Sequence, residues 1–164
     1  MTVRGDKATA QALRALSQQV AVPLAATSRF ALQPTLKTAK SNARNIEEKE
    51  RTNTLANSLV IKQKARTSKL NPTFQVGPDS SVEKQTKYGL RRPVKYAHLL
   101  EFGTAPHYQP GRGVVHPGSR AEPFLTPAYF ETRDQVVKRF GDKIGPEMEK
   151  RAAKLAAKQA KTTK

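Results

Sequence analysis

The sequence contains no cysteine and no tryptophan. Without cysteine there can be no disulfide framework and no metal site built on thiolates. Acidic residues are scarce: 13 Asp plus Glu stand against 30 Lys plus Arg, a formal net charge of +17 over 164 residues. Long apolar runs are missing as well. No stretch approaches the roughly 18 apolar residues that a membrane span requires. The N-terminal MTVRGDK has no apolar run behind it, which predicts that no secretory signal is present. Hydrophobic residues make up 37% of the chain, against about 45–50% in an average soluble domain. This composition predicts a packed core of about 80–100 residues, with ends that bury too little surface to offset their ordering entropy. The basic surplus needs a polyanion or a charged partner. Nucleic acid is the obvious polyanion. A membrane surface would require a basic helix carrying bulky apolar residues, and the basic C-terminus here is mostly Lys and Ala.

Leu13, Leu16, Val20 and Leu24 recur at helical spacing and predict a helix over 8–31, with Pro23 kinking it or ending it near Val22. Residues 35–50 read as a solvated helix. Over 54–65 the period changes to two and predicts a strand, and 73–77 a second. Tyr96, Leu99 and Leu100 are spaced for a helical face that Phe102 extends, and residues 93–102 read as a strand turning into one or two helical turns. Residues 103–121 hold four Gly and three Pro and read as a long loop. From Pro123 the pattern is helical again, with Gly145-Pro146 as an interruption. The expected class is α+β: a small antiparallel sheet packed against N-terminal and C-terminal helices, with a long Gly/Pro-rich loop. The expected divisions are an N-terminal helical region (1–50), a core (51–148) and a basic tail (149–164).

Catalytic chemistry finds little footing. Asp79, Glu83, Glu101 and Glu122 are the only acids between residues 51 and 130, and no two form an acid/base motif. His98, His107 and His116 are spaced by nine, unlike the close spacing of helical metal ligands. No nucleophile elbow or phosphate-binding loop is present. The expectation is a non-enzyme with no catalytic, cofactor or metal site.

The basic residues form clusters. Lys62, Lys64, Arg66 and Lys69 make one, and Lys84, Lys87, Arg91, Arg92 and Lys95 a second. The tail adds Lys150, Arg151, Lys154, Lys158, Lys161 and Lys164. Aromatic residues hardly interleave with them, so base stacking is not indicated and phosphate contact without sequence reading fits better. A solvated basic surface that keeps a subunit soluble before assembly is the competing reading, and the sequence does not choose between the clusters.

Three segments in order carry a resemblance. Tyr96-Ala97-His98-Leu99-Leu100-Glu101-Phe102-Gly103-Thr104 resembles the YAxxxEFGT signature of the HK97 gp10-like family of tailed-phage proteins. Ala121-Glu122-Pro123-Phe124-Leu125-Thr126-Pro127-Ala128 is similar to that family's aPFlrPA stretch. Arg51 to Leu59 is similar to its vdTGxLrxSi segment, with Asn53-Thr54 where Thr-Gly usually falls. The resemblance covers residues 50 to 140. It implies a structural virion protein of the head–tail junction (neck or tail completion), assembled in the host cytoplasm. In that role several copies, sixfold by family analogy, form a ring that passes the double-stranded genome. Neighbouring partners would be the neck adaptor or head-closure protein and the tail-tube or terminator protein. The rival is a cellular protein that binds nucleic acid without sequence preference, although no reader motif is visible.

Within the matched segments, Gly103 is expected at positive φ. Phe102 and Phe124 are expected to anchor the two ends of the loop in the core, and Pro123 and Pro127 to restrict the chain where the last helix begins. Glu101 lies between apolar neighbours and requires a partner: a helix cap, an arginine or a neighbouring subunit. The loop itself, with Tyr108, Arg112 and Arg120, is a candidate subunit contact alongside Glu101.

Overall fold

The computed structural model describes residues 20–47, 53–64, 72–86 and 89–162. The elements in chain order are helix α1 (20–31), α2 (Gln33–Glu47), a short α3 (Thr54–Ser58), strands β1 (Leu59–Gln63), β2 (Phe74–Pro78), β3 (Lys84–Thr86) and β4 (Gly89–Arg91), helix α4 (Pro93–Phe102), strands β5 (His107–Gln109) and β6 (Val114–His116), and the long α5 (Leu125–Thr162). The class is α+β. The strands make three two-stranded ladders, β1–β2, β3–β4 and β5–β6, rather than a single sheet. Among the described residues no helix is long and apolar enough to cross a membrane.

The chain divides into two compact units, drawn from Met1–Leu32, Gln63–Gln75 and Gln135–Lys164 in the first, and from Gln33–Lys62 and Val76–Asp134 in the second. In the first, helix α1 runs unbroken through Pro23 and buries Thr27 and Ala31. Its aromatic contacts are cationic: Arg29 lies 5.5 Å from the Phe74 ring, and Phe30 has Arg139 at 4.2 Å and Lys143 at 4.4 Å.

The second unit holds the core. Ala39, Ala43, Leu55, Ala56, Leu59, Ala97, Phe124 and Ala128 are buried together, with Leu36, Ile46, Tyr96, Leu100 and Leu125 packed around them. Most of these side chains are small, so helices approach closely and Phe124 and the leucines fill the space between them. In α2, Thr35, Ala39 and Ala43 recur every four residues and form the buried stripe, so this helix is solvated on one face only. The Thr35 and Thr132 hydroxyls meet at 2.6 Å, and Thr132 also donates to the Ala128 carbonyl, so both buried polar groups are satisfied.

Three expected elements differ. Residues 93–102 are helical throughout as α4, with no strand among them. Residues 54–58 form the helical turn α3, not the start of a strand. Asn53 turns the chain with φ 47°, which its short polar side chain tolerates, and Leu55, Ala56 and Ser58 then sink into the core. Helix α5 continues through Gly145-Pro146 to Thr162. A proline there removes one hydrogen bond, and at an exposed position the freed carbonyl can be hydrated.

Candidate assembly surface: a carboxylate cap and a projecting hairpin

Helix α4 begins at Pro93, whose missing N–H would have had no intrahelical partner. Its buried residues are Pro93, Ala97 and Glu101, a strict four-residue stripe. This stripe brings a carboxylate, not an aromatic ring, to the inner end of the helix. The Glu101 side chain accepts hydrogen bonds from the backbone N–H groups of Phe124 and Leu125, each at 2.9 Å, and of Thr126 at 2.7 Å. It therefore caps α5 from another part of the chain, satisfying N–H donors that have no intrahelical acceptor and placing negative charge at the positive end of the helix dipole. Burial pushes the Glu101 carboxyl up. Hydrogen bonds from the Thr126 hydroxyl and from the Leu125, Phe124 and Thr126 N–H groups outweigh it, and the net position lies below the ordinary 4.5.

Of the partners expected for Glu101, the structure shows the helix cap, made within its own chain. One expectation is corrected. Phe102 is not a core anchor: it is 76% exposed, whereas Phe124 is fully buried. One step along the helix from Glu101 is a rotation of about 100°, which carries Phe102 off the buried stripe.

The chain leaves α4 through Gly103, with φ 70°. A Cβ there would stand 2.6 Å from the Ser119 carbonyl oxygen. Opposite it Gly118, at φ 87°, packs where a Cβ would overlap the Thr104 carbonyl oxygen. This close approach lets Thr104 and Ser119 exchange backbone hydrogen bonds at 2.9 and 3.1 Å, and their hydroxyls also meet at 3.1 Å. The pair forms an isolated antiparallel bridge that draws the two ends of the expected loop together. On the return side the Glu122 N–H donates to the Leu100 carbonyl at 2.8 Å.

Between these ties the segment is not a structureless loop. His107, Tyr108 and Gln109 pair with His116, Val115 and Val114 in an antiparallel hairpin. Pro110 presets the turn, the Arg112 and Gly113 N–H groups both donate to the Gln109 carbonyl, and Gly113 takes φ 65°. Strand alternation gives the hairpin two faces. One carries the His107–His116 pair, with ring centroids 5.2 Å apart. The other carries Tyr108 and Val115, which are 60% and 68% exposed. Arg112 is at the exposed tip and Arg120 is exposed beyond the bridge.

The basic candidates are less uniform than their spacing suggests. Lys62 is paired with Asp79, and Arg92 with Glu83 at 2.7 Å. Lys64, Lys84 and Arg91 also have interaction partners. Lys95 is exposed on α4. Arg66, Lys69 and Lys87 lie outside the described residues, as do the side chains of Lys158 and Lys161 and the whole of Lys164. Among the described residues no group of three or more His, Asp or Glu is placed to hold a metal.

The sequence marks this segment as a candidate subunit contact but reads as a loop, and what that reading missed is the hairpin pairing. Its signal was present: an apolar or aromatic residue on either side of Pro-Gly-Arg-Gly, with a histidine flanking each.

Comparison with protein families matches residues 7–103 to the HK97-gp10-like family, described as "Bacteriophage HK97-gp10, putative tail-component". That is more than half of the chain. The match reaches further toward the N-terminus than the motifs do, and it ends at Gly103, at the base of the hairpin. Comparison with curated proteins and with solved structures gave no match.

Proposed function

The chain belongs to the HK97-gp10-like family of bacteriophage tail components, and from that premise we propose that it is a structural, non-catalytic protein of the head–tail junction. Copies of it form a closed ring, sixfold by analogy, between the neck adaptor or head-closure protein and the tail-tube or terminator protein. The genome passes through the lumen, where basic side chains meet phosphates without reading sequence. The observation that carries this reading is the β5–β6 hairpin. It is fastened at its base by Thr104 and Ser119, yet it presents Tyr108 and Val115 to solvent. A tethered arm with an apolar face is suited to a neighbouring protein surface rather than to its own core. The basic surplus supports the DNA-facing lumen, since +17 per subunit would otherwise repel a second copy.

Electron microscopy of purified particles tests the ring, which should appear as a cyclic tier of density at the head–tail junction. Absence of the protein from intact particles overturns the proposal. Replacing residues 107–116 by a short Gly-Ser bridge, which keeps Gly118 and the Thr104–Ser119 bridge, tests the arm. The subunit should keep its melting transition and fail to enter particles, and normal infectious particles from that variant would rule the arm out.

A further inference from the structure

The second unit also carries a groove that can receive such an arm. Its volume is about 460 Å³, and its lining includes Ile46 from α2, Pro123 and Pro127 at the start of α5, and the carboxylates of Glu122 and Glu131. None of its lining residues belongs to the hairpin.

The charges in this unit are unevenly used. Asp79 is paired with Lys62, Glu83 with Arg92 and Asp134 with Arg133, while Glu101 is bound to three backbone N–H groups. Glu122 and Glu131 have no ion-pair partner among the described residues, and both are exposed. On a chain of net charge +17, two unpartnered carboxylates flanking apolar surface are a place where a second copy can approach without repulsion. The hairpin matches them in kind: Arg112 is an exposed cation at the tip whose side chain has no ion-pair partner among the described residues, and Tyr108 and Val115 are exposed apolar groups behind it. Arginine suits this position because its planar fork can engage two carboxylates, and tyrosine packs against proline and aliphatic side chains with little loss of rotamer freedom.

We propose that the β5–β6 hairpin of one copy seats in the Ile46–Pro123–Pro127 groove of the next, with Arg112 held between Glu122 and Glu131. The inference rests on the ring reading and names its subunit contact. The two surfaces are different patches of the same chain, so the contact is head-to-tail, and repetition closes a ring when the rotation per subunit allows it.

Charge reversal on each side tests the contact, with the full chain and sedimentation velocity as the readout. The arm variant is Arg112→Glu. The groove variant carries Glu122→Lys and Glu131→Lys. Each alone should weaken self-association by about tenfold or more, because like charges then face each other. Combining them in one chain, or mixing the two variants in equal amounts, should restore assembly. Melting curves confirm that each variant is folded. Wild-type assembly by both single-sided variants overturns the contact and leaves the ring reading standing, as does a combined variant no better than either alone. A wild-type chain that stays monomeric at every concentration tested overturns both.

Discussion

The carboxylate of Glu101 lies 2.7 Å from the backbone nitrogen of Thr126, twenty-five residues further along the chain. With the bonds to Phe124 and Leu125, this fixes the C-terminal end of α4 against the first turn of α5. Glu101→Ala should leave those N–H groups without their acceptor in a buried place and cost about 2–3 kcal/mol. Glu101→Gln keeps one acceptor oxygen and should cost less. Urea unfolding of the two variants checks the order, and equal stability for Glu101→Ala and wild type would remove the cap from the account.

Gly103 and Gly118 face each other across the base of the hairpin. Alanine at either combines a positive φ with a backbone clash, and each should destabilise by more than about 1 kcal/mol. Gly111, where an added Cβ meets nothing within 4 Å and φ is not positive, is the control: Gly111→Ala should be close to neutral in thermal melts.

The phenylalanines of the two motifs, Phe102 and Phe124, should part company. Phe124→Ala removes a fully buried ring and should cost about 3–5 kcal/mol. Phe102→Ser acts on a ring that is mostly exposed and should change stability by no more than about 0.5 kcal/mol. A large loss of stability from Phe102→Ser would place that ring in the core after all.

Acid should act through Asp79. Hydrogen bonds from Lys62 and from the Ser81 backbone and hydroxyl hold its carboxyl at about 2, below the ordinary 3.8. Because the folded-state value is the lower one, the stabilisation is complete above 3.8 and is lost as pH falls toward about 2. The difference in urea midpoint between wild type and Asp79→Asn should therefore be present at neutral pH and shrink through that window. A pH-independent difference would dissociate Asp79 from the effect.

Binding to duplex DNA should be weak, indifferent to sequence and steeply salt-dependent, with log K falling linearly in log salt. Fluorescence anisotropy with unrelated duplexes measures this. A preference of about a hundredfold or more for one sequence at physiological salt would instead favour a specific DNA-binding protein.

Helices α2 and α5, the class and the family were legible in the sequence because they depend on local spacing and short motifs. What was not legible depended on register and tertiary contact. Tyr96 and Leu100 pack against the core as their spacing suggests, but the buried stripe is Pro93, Ala97 and Glu101, and Leu99 and Phe102 face outward. The alternation from Leu59 to Lys64 was extended back over 54–58, yet the left-handed turn at Asn53 starts a helix there, with all but Asn57 of its residues buried. Thr35, Ala39 and Ala43 are too small to announce a core face, and they form one because close packing needs small side chains. The partner of Glu101 lay beyond a Gly/Pro-rich stretch, and no local pattern points across it.

The Thr104–Ser119 bridge separates what must be conserved for folding from what is free to change. The positive-φ glycines 103 and 118 and the paired backbone bonds sit below the hairpin, and the turn at 110–113 projects beyond them. Lengthening such a turn adds little closure entropy, about 0.6 kcal/mol per doubling. The tip is thus a replaceable cassette: its length and chemistry can drift to match a new neighbour while the clasp beneath it stays the same. A peptide tag or a foreign recognition loop grafted between Gln109 and Val114 would ride on the subunit without asking its core to adapt.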